Sequence, residues 1–152
     1  MKLSDQPLEI LLVEDNKGDI GLIEEFFEDA KVRINLHVAE DGEEAVRFLW
    51  GEDKFRGSSH PDIILLDWNL PKKTGHEILK EIKDNCDLKN IPVIILTISS
   101  AEKDIFRAYD LHANAYIVKP IDFDEFMKVI GSIEDFWLEA VTLPSKKDQK
   151  FD

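Results

Sequence analysis

Polar side chains follow four short apolar runs of this chain, and their types could do chemistry together. Glu14 and Asp15 follow residues 10–13, Asp67 follows residues 63–66, Thr97 follows residues 93–96, and Lys119 follows residues 116–118. Apolar runs of this length are typical of strands buried on both faces of a parallel sheet. The strands of such a sheet end at one edge, where open α/β sheets bind ligands. Three carboxylates, a hydroxyl and an ammonium group at one edge suit Mg²⁺ and a phosphoryl group.

Amphipathic segments separate the apolar runs and would position these side chains. Strands are predicted at residues 8–13, 34–39 and 115–118 and at the runs before Asp67 and Thr97, each followed by a helix. Asp122 and Glu125 predict a capping box for the last helix, whose apolar face continues to Val141. Five strand–helix units in strict alternation predict a doubly wound α/β sandwich.

The net charge, the apolar runs and the cysteine count of the chain argue against several classes of protein. The chain has 152 residues and a net charge of −13, which argues against direct binding of nucleic acid. Its sequence contains neither an apolar run of membrane-spanning length nor a signal peptide. The single Cys86 cannot form an internal disulfide, which fits a reducing compartment. We therefore expect a cytoplasmic protein that contacts neither membranes nor nucleic acid.

The motifs of the chain resemble those of the receiver domain of two-component response regulators. The most specific element is the segment 67–75, in which Asp67, Pro71 and Gly75 have the spacing of this family. Other residues in the expected order are Glu14, Asp15, Thr97, Tyr116, Lys119 and Pro120. Residues 110–114, 136–138 and the long loop before Pro61 resemble more particularly the stand-alone regulators of bacteriophytochrome-type histidine kinases.

This resemblance implies a fold and a domain organisation. The fold would be a flavodoxin-like (βα)5 sandwich with a parallel five-stranded sheet in the order 2-1-3-4-5. Residues 1–143 would form a single receiver domain, and residues 144–152 a polar, disordered tail. No output domain is expected, so the protein would pass its signal on through contacts with other proteins.

The resemblance also assigns chemistry to the sheet edge. Asp67 would accept a phosphoryl group from a phosphohistidine of a sensor kinase in a Mg²⁺-dependent reaction. Asp15 and Asp67 would bind the metal directly, Glu14 through water, and Asn69 through its backbone carbonyl. In the implied strand order Asp15 and Asp67 lie close together, and a divalent cation would relieve their repulsion. Lys119 would contact a phosphoryl oxygen, aimed inward by a cis peptide bond to Pro120.

The resemblance further implies that Thr97 and Tyr116 change position when Asp67 is phosphorylated. The Thr97 hydroxyl would bind the new phosphoryl group, and Tyr116 would turn into the space that Thr97 leaves. The face made by the fourth helix, the fifth strand and the fifth helix would then change its contacts. Expected partners are a sensor histidine kinase, an unidentified effector protein and a second copy of the chain. Such a homodimer would use this face or the apolar segment 136–138.

Two residues depart from the pattern of the family. Ile98 follows Thr97 where a small residue is usual, so it should gate access to Asp67, slow phosphorylation by small donors and prolong the life of the phosphoryl group. His112 stands just past the fourth helix at a position that glycine often holds, which predicts a left-handed backbone conformation there.

Other classes of protein explain the same motifs less well. An aspartate-nucleophile phosphatase would use Asp67 and Mg²⁺, but the residue two positions on is Asn69, which cannot protonate a leaving group. A nucleotide- or flavin-binding module would need a glycine-rich loop after the first strand, where residues 14–18 are acidic instead. A receiver-like scaffold that ignores phosphorylation stays open. We do not expect an enzyme with turnover.

Overall fold

Five parallel strands form one sheet in the computed structural model, which describes residues 6–51 and 60–144. The strands are β1 (Leu8–Val13), β2 (Ile34–Ala39), β3 (Ile63–Leu66), β4 (Val93–Thr97) and β5 (Ala115–Val118). The helices are α1 (Lys17–Glu28), α2 (Gly42–Leu49), α3 (Gly75–Lys83), α4 (Glu102–Asp110) and α5 (Phe123–Ile133), and the π-helical segment Glu134–Ala140 follows α5. The strand order β2-β1-β3-β4-β5 confirms the predicted flavodoxin-like sandwich.

Parts of two predicted segments fall outside the structure. Residues 52–59 of the loop before Pro61 and residues 145–152 of the tail lie outside the described residues. Within the part of the chain that is described, no helix is both long enough and apolar enough to cross a bilayer.

The central strands β1, β3 and β4 are almost entirely apolar because helices cover both faces of the sheet. Successive side chains of a strand point to opposite faces, so β1 and β3 each supply residues to two separate cores. One core contains Leu11 and Leu66 together with residues of α2, α3 and α4. The other contains Ile10 and Leu65 together with residues of α1 and α5. The packing of both cores fixes the carboxyl ends of these strands, where the polar residues stand.

Side-chain caps fix where the helices begin. Asn16 caps α1, and Thr74 opens α3 in a reciprocal capping box with Glu77, which the sequence analysis did not predict. Asp122 caps α5 as expected, but its carboxylate accepts a hydrogen bond from the Asp124 amide at 3.4 Å. That partner is one residue earlier than a capping box requires, so the predicted box is wrong.

The apolar face predicted to continue to Val141 changes its helical geometry partway. α5 ends at Ile133, and in the π-helical segment the Val141 amide donates to the Phe136 carbonyl, five residues back. Leu138 is buried against the core, whereas Phe136 is exposed. The buried Glu134 accepts a hydrogen bond from the Lys31 amide at 2.9 Å, which ties this segment to the connection between α1 and β2.

His112 adopts the left-handed conformation that the sequence predicts, with a φ of 72°. A side chain in this region costs about 1–2 kcal/mol, and glycine avoids that cost but gains freedom in the unfolded chain. We therefore expect His112→Gly to raise the free energy of unfolding by about 1 kcal/mol, measured by urea denaturation. His112→Ala is the matched control, because alanine keeps the strain. An equal gain in both variants would show that the imidazole, and not the backbone, is unfavourable.

Candidate functional site

The acidic residues meet at the carboxyl ends of β1 and β3. Val13 pairs with Leu66 in the parallel ladder, and the Asp67 amide donates to the Val13 carbonyl at 3.0 Å. Carboxylate oxygens of Glu14, Asp15 and Asp67 all lie within 4.8 Å of one another. Glu14 and Asp67 are buried, while Asp15 is exposed. The structure thus brings together the three acids that the sequence placed at this edge.

The loop between β3 and α3 folds back over the end of β3. The Asn69 amide donates to a carboxylate oxygen of Asp67 at 3.3 Å, so the backbone of Asn69 lies beside that carboxylate. Farther along, the Gly75 amide donates to the Trp68 carbonyl at 3.0 Å. Lys72 has a φ of 68°, and the Lys73 amide bonds back to the Pro71 carbonyl across it. This tight turn brings α3 directly behind Asp67.

Lys119 reaches the same site from the end of β5. Its ammonium contacts a Glu14 carboxylate oxygen and lies 3.0 Å from Asp19 Oδ2 and 3.8 Å from Asp67 Oδ2. No cis peptide bond occurs in residues 6–51 and 60–144, so the predicted cis bond before Pro120 is wrong. The trans form is the favoured one by about 0.5–1 kcal/mol, and the carboxylates suffice to hold the buried lysine inward.

Burial and charge together shape the electrostatics of the site. Burial raises the pKa of Glu14 to about 7, against the contact with Lys119, and the charge of Asp67 adds to the rise. Burial alone would lower the pKa of Lys119, but its contacts with Glu14, Asp19 and Asp67 outweigh it and leave that pKa raised. One ammonium therefore faces three carboxyl groups, and Asp15 adds a fourth beside Glu14 and Asp67, which leaves an excess of negative charge.

The acidic site fits a hard divalent cation. Its ligands are oxygen atoms alone, which is the donor set that Mg²⁺ prefers, and Mg²⁺ needs only one or two direct carboxylates. The raised pKa of Glu14 means that its contact with Lys119 does not outweigh the cost of burying its charge. A divalent cation beside Glu14, Asp15 and Asp67 would offset more of that charge.

Thr97 and Tyr116 lie on the β4–β5 side of the site. Thr97 is fully buried, and its Oγ1 has no hydrogen-bond partner among the described residues, which costs about 1–3 kcal/mol for a buried hydroxyl. The Tyr116 hydroxyl donates to the Ser99 carbonyl at 2.9 Å, and the Tyr116 amide donates to the Tyr109 hydroxyl at 3.1 Å. Tyr116 thus connects the loop after Thr97 with α4.

Large apolar side chains are exposed around this end of the molecule. Ile98, the predicted gate, is 71% exposed beside the buried Thr97, and its gating role stays a prediction. The exposed members on α4, β5 and the start of α5 form what we term the α4–β5–α5 face, which consists of Phe106, Tyr109, Val118, Ile121 and Phe123. This face coincides with the one that the sequence analysis expects to change on phosphorylation.

Asp19 is the site residue that the sequence analysis missed. It stands in the first turn of α1, where acids are common for helix stability alone, so its type carried no signal. Its position three residues after the Asn16 cap could have pointed to it, because that turn of α1 follows directly on Glu14 and Asp15.

Comparisons with known proteins agree with this geometry. The family model described as response regulator receiver domain matches residues 10–131. Response regulator Rcp1 from Synechocystis sp. is 45% identical over 142 residues, which cover 93% of this chain and 97% of that protein. The crystal structure of the phosphorylated cyanobacterial phytochrome response regulator RcpA has a TM-score of 0.89 and 46% identity, and covers 92% of this chain and 100% of that one.

A second solved structure, the Mn²⁺-bound form of response regulator Rcp1, has a TM-score of 0.89 and 45% identity. It covers 91% of this chain and 100% of that chain. Receiver domains of this family use Mg²⁺, are phosphorylated on an aspartate and partner with sensor histidine kinases. The chain belongs to the receiver domain family of response regulators, the regulators of two-component signalling.

Proposed function

We propose that Asp67 is the phosphoacceptor of this response regulator. The observation that carries the proposal is the placement of its buried carboxylate, within 4.8 Å of both acids that follow β1 and 3.8 Å from the Lys119 ammonium. The unpartnered Thr97 hydroxyl supports it, because a phosphoryl oxygen would supply the hydrogen-bond partner that the buried group lacks. Asp67 therefore lies beside a buried ammonium and two further acids, at the end of a strand whose neighbour β4 ends in the buried Thr97.

The reaction is transfer of a phosphoryl group from a phosphohistidine to Asp67. A carboxylate oxygen of Asp67 forms a bond to phosphorus, the phosphorus–nitrogen bond breaks, and its electron pair returns to the imidazole. Lys119 lies close enough to contact a phosphoryl oxygen on Asp67 after a small movement. Asp15, Asp67 and the Asn69 carbonyl, with Glu14 through water, would hold a Mg²⁺ ion, whose charge would offset that of the phosphoryl oxygens.

We propose that the phosphoryl group is read through Thr97 and Tyr116. When the Thr97 hydroxyl binds a phosphoryl oxygen, the loop that follows it moves toward Asp67. Tyr116 holds that loop through the Ser99 carbonyl and holds α4 through Tyr109, so a shift of the loop reaches both. The α4–β5–α5 face then changes shape, which alters its contacts with other proteins.

The proposed donor is a sensor histidine kinase of the phytochrome type, because the similar protein RcpA is a phytochrome response regulator. Residues 1–143 would act as the receiver domain, without enzymatic turnover, in the cytoplasm, where the exposed free Cys86 stays reduced. The exposed apolar α4–β5–α5 face supports an effector protein or a homodimer as its partner. Sedimentation of the phosphorylated and unphosphorylated protein tests the dimer, which an unchanged monomer mass would exclude.

The phosphoacceptor is tested by intact mass after incubation with Mg²⁺ and phosphoramidate. We expect the wild-type chain to gain one phosphoryl group and Asp67→Asn to gain none, because an amide is not a nucleophile at phosphorus. Asp15→Asn is the matched control, since it removes a nearby carboxylate but leaves Asp67 in place. It should slow the gain without abolishing it.

Emission of Trp68 provides a second readout of the same site. Trp68 is buried directly after Asp67, and phenylalanine in place of Trp50 and Trp137 would isolate its signal. A Mg²⁺-dependent change in emission without a gain of mass would mean that the site binds metal but needs its kinase. Phosphorylation of Asp67→Asn at the wild-type rate would show that another residue is the acceptor.

The gating role of Ile98 has its own test. We expect Ile98→Ala to raise the rates of phosphorylation by phosphoramidate and of hydrolysis by about fivefold each, which equals about 1 kcal/mol of hindrance. Both rates follow from intact mass against time. Phe106→Ala removes an equally exposed apolar side chain from α4 and should leave them unchanged. Unchanged rates in Ile98→Ala would contradict the gate.

A further inference from the structure

Asp19 binds the ammonium of Lys119 but does not belong to the group of acids that lie close together around Asp67. Asp19 Oδ2 lies 3.0 Å from Lys119 Nζ, and a Glu14 oxygen contacts the same nitrogen. An ammonium group has three N–H donors. With two of them engaged, the third remains for Asp67, whose nearer oxygen lies 3.8 Å away, beyond hydrogen-bond distance. The two carboxylates therefore orient Lys119 without consuming the donor that faces the reaction.

The start of α1 fixes the position of Asp19. Asn16 caps the helix, and its side-chain oxygen accepts a hydrogen bond from the Asp19 amide at 2.9 Å. The amide of Asn16 in turn donates to Glu14 Oε2 at 3.1 Å. One turn of chain thus locks the two carboxylates that hold Lys119 relative to each other. The Asp19 side chain is 25% exposed, whereas that of Lys119 is 5% exposed, so Asp19 borders the site on its solvent side.

Glu14 and Asp19 differ in the contacts that they make besides the one with Lys119. Glu14 belongs to the group of carboxylates close enough together to share a cation, with Asp15 and Asp67. Its negative charge would therefore serve a bound metal as well as Lys119. The contact of Asp19 in the site is with Lys119, so this acid can keep the ammonium in place whatever Glu14 does.

We propose that Asp19 is a positioning residue for phosphoryl transfer, which anchors Lys119 so that its free N–H faces the phosphoryl oxygens on Asp67. This inference rests on the proposed role of Asp67. Asp19 touches neither the reacting carboxylate nor the donor, and it acts through Lys119. Positioning groups lower the barrier by holding reacting and stabilising atoms in place, so losing the anchor slows transfer even though Lys119 is retained.

The simpler role for Asp19 is stabilisation of α1 as an acid in its first turn. Asp124→Asn is a matched control for that role, because Asp124 is an exposed acid in the first turn of α5. Both variants lose one negative charge at the start of a helix. A purely structural role predicts similar small changes of the urea midpoint in both and no specific effect on Lys119.

The test compares Asp19→Asn, Asp19→Ala and Asp124→Asn in the full chain. With Mg²⁺ saturating, we expect Asp19→Ala to lower the maximal rate of phosphorylation by phosphoramidate about tenfold with little change of the KM. Asp19→Asn keeps an oxygen acceptor and should fall between Asp19→Ala and the wild type, whereas Asp124→Asn should match the wild type. The apparent Mg²⁺ affinity, measured by Trp68 emission, should change less than about threefold, because Asp19 stands outside the proposed ligand group.

The anchoring itself is measured by NMR of protein labelled with ¹⁵N-lysine. A buried ammonium held by two carboxylates should give a protected signal, which Lys119→Arg identifies by its loss. We expect this signal to disappear in Asp19→Ala and to persist in Asp124→Asn. A wild-type rate in Asp19→Ala, or a signal that survives there, would overturn the positioning role alone. If the wild-type chain gained no phosphoryl group and its Trp68 emission did not change with Mg²⁺, the proposed function would be overturned, and the positioning role with it.

Discussion

Replacing Gly75 by alanine is expected to lower the free energy of unfolding by about 2–3 kcal/mol. A Cβ atom at this position would lie 2.3 Å from the Asp67 carbonyl oxygen and 2.8 Å from the Trp68 Cα atom. Both are backbone atoms at the end of β3, so no flexible side chain can move to make room. Alanine forms helices better than glycine by about 1 kcal/mol, but this gain in helix propensity is smaller than the cost of the steric overlap.

The same substitution should damage the site. Either α3 or the backbone of Asp67 must move, and the Asn69 amide is bonded to the Asp67 carboxylate in the loop between them. We therefore expect weaker Mg²⁺ binding, followed by Trp68 emission, and slower phosphorylation by phosphoramidate. Loss of stability without any effect on Mg²⁺ binding would mean that α3 alone absorbs the displacement.

Gly21→Ala is the matched control for this prediction. Gly21 is an exposed glycine inside α1, and a Cβ atom there would meet no atom within 4 Å. Alanine should raise the free energy of unfolding by about 0.5–1 kcal/mol, through helix propensity alone. Urea denaturation of both variants gives opposite signs if the close approach at Gly75 matters. A gain of stability in Gly75→Ala would contradict the overlap.

The strands and their edge were predictable from the sequence for a physical reason. A strand covered on both faces must be apolar along its buried length. The range of such a strand, and the polar residue that follows it, can therefore be predicted from the sequence. β3, which is buried at every position, therefore matches its predicted range, and Asp67 and Lys119 stand where parallel topology places them. Asp15 and Asp67 meet because β1 and β3 are neighbours, which strand order alone determines.

What the sequence did not reveal depends on individual side-chain geometry. Asp19 contacts Lys119 only because Asn16 starts α1 at one particular residue, and acids in a first turn are too common to single it out. The sequence of the π-helical segment Glu134–Ala140 continues the apolar pattern of α5, so no break in periodicity predicts the change of helical geometry. The gating role of Ile98 and the switch roles of Thr97 and Tyr116 stay predictions.

Replacing Lys119 by methionine is expected to cost about 3 kcal/mol of unfolding free energy when Mg²⁺ is absent. Methionine matches the stem of lysine but leaves Glu14, which is 1% exposed, and Asp67, which is 7% exposed, without their cation. Removing one partner of a buried ion pair is strongly destabilising because the other charge stays desolvated. Lys128→Met, which breaks an exposed pair with Glu125 on α5, should cost about 0.5 kcal/mol at most.

The pH dependence of this loss follows from Glu14. Burial raises the pKa of Glu14 above its ordinary value of 4.5 to about 7, and removal of Lys119 removes a contact that opposes the rise. A carboxyl group with a raised pKa in the folded state destabilises that state when it is ionised, and this cost disappears as pH falls toward the pKa of the unfolded chain. The loss in Lys119→Met should therefore be larger at about pH 8 than at about pH 5.5.

Mg²⁺ should restore more stability to Lys119→Met than to the wild type. A ligand that binds only the folded state stabilises it by RT ln(1 + [L]/Kd), and a site without its internal cation should bind Mg²⁺ more tightly. Urea denaturation at about pH 8, with EDTA and then with Mg²⁺, measures both increments. An equal increment in the two proteins would show that Lys119 and the metal do not share the charge of Glu14 and Asp67. A larger increment in the variant would establish that the Lys119 ammonium and Mg²⁺ share the charge of one acidic site. The contacts of both cations must then change when a phosphoryl group is added to Asp67.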